Sequence, residues 1–348
     1  MMKKPGIKSE YICILQGNIL SIGRGTDKFK IEDVNDEIIN FIEMLDGEHT
    51  YEDICNKFPL GKKWLQQLDE FDLLRDFDVP KTPIDPYLLK RWDRQINYFA
   101  LFEREGFNAR KAQEKLKNST VAVVGIGAGG SSLISLLSAA GIGNIVGMDF
   151  DTVEEVNLPS QIFFKESDIG DLKVKAIKKH ITSFNSSVNC EFYNKRVEST
   201  EDVYEIIKGA DFVFDAIDEP LYYSALWVTR ACLKANIPYV SIGSSDKASR
   251  VGPMVIPGKT PCYECLGLLP IDKFFYEHKY DAAIMGANVL MVASIAVHEM
   301  IKLLTGFATP SVLGKTLHIN TEKMAFDYIE HAIKPDCICH SLITYEHA

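Results

Sequence analysis

The sequence predicts an α/β protein: a Rossmann-like doubly wound sheet preceded by a small winged-helix-like domain. Three observations carry this expectation. The apolar strand Thr120–Val124 runs into Gly125-Ile126-Gly127-Ala128-Gly129-Gly130 and then a helix over Ser131–Ala140. Strand and helix patterns alternate from about residue 88 to the end, the habit of a layered α/β sheet. A proline-rich break, with Pro80, Pro83 and Pro86, sets off a first segment built on a different plan.

That first segment, residues 1–79, opens with two short apolar runs, Tyr11–Leu15 and Asn18–Ile22, split by Gln16-Gly17 as in a hairpin. Three helices come next. Asp36–Leu45 places Ile38, Ile39, Phe41, Ile42 and Leu45 at helical spacing. Thr50 caps Tyr51–Phe58, with Asp53 three residues on as a near-capping box. Lys62–Phe71 carries Trp64, Leu65, Leu68 and Phe71 on one face, and Leu73-Leu74 leads toward a last strand. A winged helix often reads DNA, but residues 1–79 hold ten Lys and Arg against sixteen Asp and Glu, the wrong sign for a phosphate backbone. The runs Ile42-Glu43-Met44-Leu45-Asp46-Gly47, Thr50-Tyr51-Glu52-Asp53-Ile54 and Leu68-Asp69-Glu70-Phe71-Asp72-Leu73-Leu74 resemble the PqqD-like precursor-peptide recognition domains. That resemblance implies a segment that grips a leader peptide, for which an exposed strand edge is a common device. A purely structural cap is the alternative.

Residues 80–87 read as a stiff linker, and residues 88–348 as the main domain. The whole chain carries a formal net charge of −10, which argues against nucleic-acid partners. Its 46% hydrophobic and 25% charged residues suit a globular core. Residues 121–148 lack charge, but their glycines divide them into strand, loop, helix and strand, so no membrane span is expected there. No apolar signal segment comes after Met1-Met2-Lys3-Lys4-Pro5-Gly6. Of eight cysteines, Cys262 and Cys265 form C-x-x-C, and Cys337 lies near Cys339 and His340. That pattern predicts metal ligation in a reducing, cytoplasmic compartment, not disulfides.

Gly125, Gly127 and Gly130 supply G-x-G-x-x-G, and the next strand, Asn144–Met148, ends on Asp149. Glycines let the backbone approach a nucleotide, and an acid at the second strand's end accepts from ribose hydroxyls. Many NAD enzymes share this much. The chain beyond Met148 departs from them: Asp149-Phe150-Asp151-Thr152-Val153-Glu154, then Val156-Asn157-Leu158 with Gln161, then Gly170-Asp171-Leu172-Lys173, then Asp215-Ala216-Ile217-Asp218. Nothing after the glycine loop would handle a hydride.

This ordered series, with Arg91-Trp92-Asp93-Arg94-Gln95 ahead of it, resembles the ThiF/MoeB branch of the ubiquitin-activating-type enzymes over about residues 88–340. The resemblance implies the adenylation version of the doubly wound sheet, using ATP and Mg²⁺ to activate a carboxyl group. It implies Asp149 on the ribose, Asn157 and Lys173 on the triphosphate, and Asp218 on Mg²⁺, with Asp151 and Gln161 also binding the nucleotide. Arg94 would reach the ATP of the partner in a homodimer. Taken singly, Asp149 reads equally as a turn residue, Lys173 as a solvated lysine and Arg94 as a surface ion pair. One departure stands out. Ser160 replaces the family arginine before Gln161, removing charge where a triphosphate is held, with Lys165, Lys175 and Arg250 as candidate substitutes. The change leaves room for phosphorylation or a degenerate site.

The family uses C-x-x-C twice for structural zinc. Aligned to it, the ligands are Cys262, Cys265, Cys337 and His340, with Cys339 the competing ligand. The run from Gly252 to Cys265 resembles that of the family's microcin C maturation enzymes, and its pantocin A maturation enzymes are similar in plan. This implies activation of a carboxyl on a ribosomally made precursor peptide (leader plus core), with Leu266–Ala287, including Asp272, Lys273, His278, Lys279 and Tyr280, as a loop over the substrate; the polar residues of that segment suit ordinary surface equally well. The other readings are adenylation of the C-terminal glycine of a ubiquitin-like sulfur carrier, and a leader-binding scaffold with a decayed ATP site.

Overall fold

The structure, a computed structural model, describes residues 2–8, 10–24, 27–78, 84–104, 106–220, 223–267 and 283–339. The chain forms two compact units, Met1–Leu101 and Phe102–Ala348.

In the first unit, β1 (Pro5–Ile7) pairs with β5 (Leu74–Asp76), and β2 (Ile12–Gln16), β3 (Ile19–Arg24) and β4 (Asp27–Ile31) form an antiparallel sheet. Gly17, at φ +62°, makes the β2–β3 turn; a side chain would meet nothing there, so conformation alone selects glycine. The three helices are α1 (Asp36–Glu43), α2 (Tyr51–Lys57) and α3 (Gly61–Glu70). Asn35 caps α1, and Thr50 with Asp53 completes a full capping box on α2. The core gathers Ile22, Phe41, Ile54, Leu65 and Leu68, with Phe41 in edge contact with Trp64 (4.9 Å) and Phe58 (5.6 Å). This small-sheet and three-helix plan matches the winged-helix-like expectation. The sequence pattern does not announce β1, β4 or, beyond the lead at Leu73-Leu74, β5; strands this short show too little of a period. Of the proline-rich segment, residues 79–83 lie outside the described residues. Pro86 opens α4 (Pro86–Arg91), where a missing N–H costs nothing, and α5 (Asp93–Ala100) comes after it.

The second unit begins with α6 (Ala109–Asn118), β6 (Thr120–Val124), α7 (Ala128–Ala140), β7 (Asn144–Asp149), α8 (Lys173–Phe184) and β8 (Asn189–Asn194). It continues through α9 (Thr200–Ile207), β9 (Phe212–Asp215), α10 (Tyr223–Ala235), β10 (Tyr239–Ser245) and β11 (Ala248–Val255). Helix α11 (Gly286–Thr305) and strands β12 (Lys315–Asn320) and β13 (Ala325–Glu330) complete it. One sheet runs in the order β13-β12-β11-β10-β9-β6-β7-β8. From β8 to β10 the strands are parallel; β11, β12 and β13 add antiparallel. The uncharged stretch 121–148 is divided among β6, α7 and β7. Helix α11 is long and apolar enough to cross a membrane, but it packs on α6, α7, β10 and β11 and buries Glu299.

The chain leaves β6 toward β7 and β8, then returns to place β9 on β6's other side. This reversal between β6 and β9 opens a crevice at their carboxyl ends, where ligands of such sheets bind.

Candidate active site and cysteine cluster

The crevice is lined by the loops that leave β6, β7 and β9. Gly125 has φ +90°, and a Cβ there would lie 2.7 Å from the Ala216 carbonyl oxygen. A Cβ on Gly130 would reach 1.8 Å from the carbonyl oxygen of Gly125, so only glycine lets α7 start this close to β6. Gly127 faces open space and precedes an α7 first turn that no side chain caps. The first backbone N–H groups of α7 are therefore exposed to an anion placed over Gly127.

Asp149, at the end of β7, accepts from Ile126 N through Oδ2 (2.7 Å) and from Asp151 N through Oδ1 (2.8 Å). It thus ties the glycine loop to the β7 turn, a task beyond the ribose contact expected of it. Lys173 opens α8 and is nearly buried; its Nζ pairs with Asp151 Oδ2 at 2.8 Å, while its backbone N–H donates to the Asp151 carbonyl. Asp218 lies just past β9 at the mouth. Desolvation raises its carboxyl above the usual range, as do Glu219 and Asp149, while Lys173 works in the opposite direction. Asp149, Asp151, Lys173 and Asp218 therefore share one electrostatic neighbourhood.

Asn157 spends its Oδ1 on Glu154 N (2.9 Å), and its carbonyl accepts from Ser160 N and Gln161 N. What its side chain retains for a phosphate is the amide donor. Gln161 is 5% exposed, and its Oε1 has no hydrogen-bond partner among the described residues. Such an orphan acceptor calls for a ligand or a water. Ser160 donates to the Asn157 carbonyl (3.3 Å), and Gly286 at the start of α11 packs so closely that a Cβ would meet the Pro159 carbonyl oxygen at 2.4 Å. Of the candidate substitutes for the missing arginine, Lys165 and Lys175 are exposed, and Arg250 is engaged with Ser241 and the Gly252 carbonyl.

The structure also gives Asp215 a place that its motif did not suggest. It is fully buried at the end of β9, and burial pushes its carboxyl up to about 6 despite the nearby Arg250 charge and donors from Ser241 and the Ile217 N–H. Its Oδ1 is unpartnered among the described residues. Nothing in the sequence links Ser241 and Arg250 to it; strand pairing does. Arg94 is exposed on the first turn of α5, in the first unit. Residues 272, 273 and 278–280 of the loop expected over the substrate lie outside the described residues.

Away from the crevice, Cys262 and Cys265 meet Cys337 and Cys339, from 75 positions further along, with all four sulfurs within 4.8 Å of one another. The Sγ separations are 3.4 Å for Cys262–Cys337, 3.4 Å for Cys265–Cys339 and 3.5 Å for Cys337–Cys339. A tetrahedral ion with Zn–S bonds near 2.3 Å would space its sulfurs by about 3.8 Å, so the cluster fits zinc with little adjustment. The Lys334 N–H donates to Cys265 Sγ (3.5 Å), a contact that suits a thiolate. Cys339, the competing ligand of the sequence reading, completes this set; His340 lies outside the described residues.

The ThiF family pattern matches residues 92–340. The chain is 28% identical over 250 residues to the molybdopterin-synthase adenylyltransferase of Escherichia coli strain K12, covering 71% of this chain and 94% of that one. Among solved structures, E. coli MccB in complex with MccA-N7isoASN superposes with TM-score 0.76 at 22% identity, covering 97% of this chain and 99% of MccB. PaaA superposes with TM-score 0.77 at 22% identity, covering 94% of this chain and all of PaaA.

Proposed function

The chain belongs to the ThiF family, and on that premise we propose that it adenylates a carboxyl group of a ribosomally made precursor peptide during maturation of a peptide natural product. It is an ATP-dependent adenylating enzyme, as are its ThiF-type relatives. The observation that carries the peptide reading is one of extent. The family pattern begins at residue 92, yet the likeness to MccB, solved with MccA, covers 97% of this chain and so includes its first unit. A sulfur-carrier activator needs no such unit; an enzyme that must hold a leader does.

Chemically, the carboxylate oxygen of the peptide attacks the α-phosphorus of ATP, the bond to the β-phosphate oxygen breaks, and pyrophosphate leaves with its electron pair. The glycine loop and the start of α7 hold phosphate oxygens, and Asn157 donates to them. Lys173, moving from Asp151 to the α-phosphate, places a positive charge where negative charge accumulates. Asp218 and Asp151 are the carboxylates suited to Mg²⁺, whose charge would screen the triphosphate when bound. We assign zinc to Cys262, Cys265, Cys337 and Cys339, a closed and therefore structural site. A homodimer with Arg94 serving the partner's nucleotide would supply the charge that Ser160 lacks. Reduced thiols and ATP chemistry suit a cytoplasmic enzyme.

The match to molybdopterin-synthase adenylyltransferase supports a second reading, adenylation of a small carrier protein's C-terminal glycine. ATP–pyrophosphate exchange separates the two. On the peptide reading, exchange requires the leader-bearing precursor, and removing residues 1–79 weakens the exchange that the precursor drives. Exchange driven equally well by a ubiquitin-like carrier, with residues 1–79 removed, would overturn it.

A further inference from the structure

We infer that Arg250 is a positioning residue for the nucleotide crevice, acting through Ser241 and Asp215 to hold the Ala216–Asp218 turn against the glycine loop. The inference rests on the nucleotide reading of that crevice and adds to it a group that does not touch the ligand.

Strand register assembles the relay. Ser241 of β10 sits directly beside Asp215 of β9, and Arg250 of β11 is paired with Gly243 of β10. Gly243 has no side chain, and a Cβ there would come within 3.3 Å of Arg250 Nε. The guanidinium therefore lies across the glycine and reaches Ser241, two residues along the same face. Its Nη1 and Nη2 both donate to Ser241 Oγ at 3.2 Å, and Nη1 also donates to the Gly252 carbonyl at 3.2 Å. A serine hydroxyl accepts two hydrogen bonds and donates one. With both acceptor positions filled by Arg250, its hydrogen is left for Asp215, its register partner on β9, whose ionised form Ser241 favours. The Tyr263 ring, 6.0 Å from the guanidinium carbon, lies beside Arg250 and belongs to the cysteine turn.

Asp215 passes this orientation to the crevice. The Ile217 N–H is among the groups that favour its ionised form, so the turn after β9 acts on the carboxylate it leaves behind. That turn is in direct contact with the nucleotide loop: Ala216 N donates to the Val124 carbonyl (3.0 Å), and the Ala216 carbonyl oxygen occupies the space a Gly125 Cβ would need. Asp218 ends the same turn. A buried carboxylate with an unpartnered oxygen destabilises the fold, and an apolar residue would serve packing better. Its position, under the turn that carries the metal-facing aspartate, is where such a cost has a use.

A double-mutant cycle read by the affinity for Mg–ATP, with melting temperature as the check on folding, tests the relay. Arg250→Met weakens Mg–ATP by about tenfold, within the range for residues that act on a site without touching it. Asp215→Asn weakens it comparably, and the double variant is no worse than Asp215→Asn alone, because Arg250 acts only through that carboxylate. Arg250→Lys recovers less than half of the loss in log affinity, since one ammonium cannot fill both acceptor positions of Ser241. Losses that add in the double variant, or an Arg250→Met protein that binds Mg–ATP as the wild type does, would overturn the inference. If Arg250→Met does not fold, Ser241→Ala decides: unchanged affinity rejects the relay. A wild-type protein that binds no Mg–ATP rejects the nucleotide reading itself.

Discussion

The nucleotide crevice and the cysteine cluster are both built from residues far apart in the chain, yet they leave opposite accounts of their valences. In the cluster, four thiols face one another at the spacing of a single ion's ligands. In the crevice, Gln161 and Asp215 each keep a buried acceptor without a partner among the described residues, and Lys173 is held by a partly exposed Asp151 that a phosphate can displace. The difference teaches how to tell a site that is closed for good from one that must empty and refill. The first satisfies itself; the second stores unsatisfied groups at the ends of rigid strands.

That contrast can be broken most severely at the cluster. About one zinc per chain should copurify, and Cys262→Ser or Cys337→Ser should lower the melting temperature of the second unit by more than about 10 °C, because metal affinity at a closed site is folding free energy. A protein freed of metal that melts unchanged would sink the closed-site account. Gly130→Ala comes next. Its Cβ would lie 1.8 Å from the Gly125 carbonyl oxygen, so α7 must shift and Mg–ATP affinity should fall by at least about a hundredfold, measured calorimetrically. Affinity within a few-fold of wild type would mean that the phosphates do not lie on this loop.

Lys173→Met should spare folding and reduce kcat in ATP–pyrophosphate exchange by about a hundredfold, with KM for ATP changed much less, because its charge matters most in the transition state. A loss confined to KM would reassign Lys173 to ground-state binding. The smallest effect has the opposite sign. The Asp215 carboxyl is pushed up to about 6 from an ordinary 3.8, so between those values the folded chain holds a proton that the unfolded chain has lost. Stability from this group is present below about pH 4 and is lost as pH rises toward 6. Asp215→Asn should therefore be more stable than wild type at pH 7, by up to about 3 kcal/mol, and no more stable below about pH 4. Parallel melting curves for the two proteins across that range would show that the burial is without cost. A gain in stability with a loss of nucleotide affinity is the signature of a group kept for function.

The sequence by itself determined the local and chemical parts of this protein. G-x-G-x-x-G after an apolar strand admits few backbone paths, because Gly125 and Gly130 stand where any side chain would strike a carbonyl. Thr50 and Asp53 cap α2 through contacts three residues apart, and the paired short cysteine spacings announce a metal. The ordered motifs from Asp149 to Asp218 named the chemistry through their resemblance to a family: Asp149 and Asp218 sit at or just past strand ends, while Asn157 lies in the long loop after β7 and Lys173 opens α8. Only the tertiary structure decided the rest. It brought Cys339 into the cluster and tied Asp149 to the glycine loop. It also laid Asp215, Ser241 and Arg250 side by side across three strands. Strand order and register set those neighbours, and both are fixed by burying apolar faces over the whole sheet. A linear motif records what lies along the chain, whereas a hydrogen-bonded ladder chooses what lies across it.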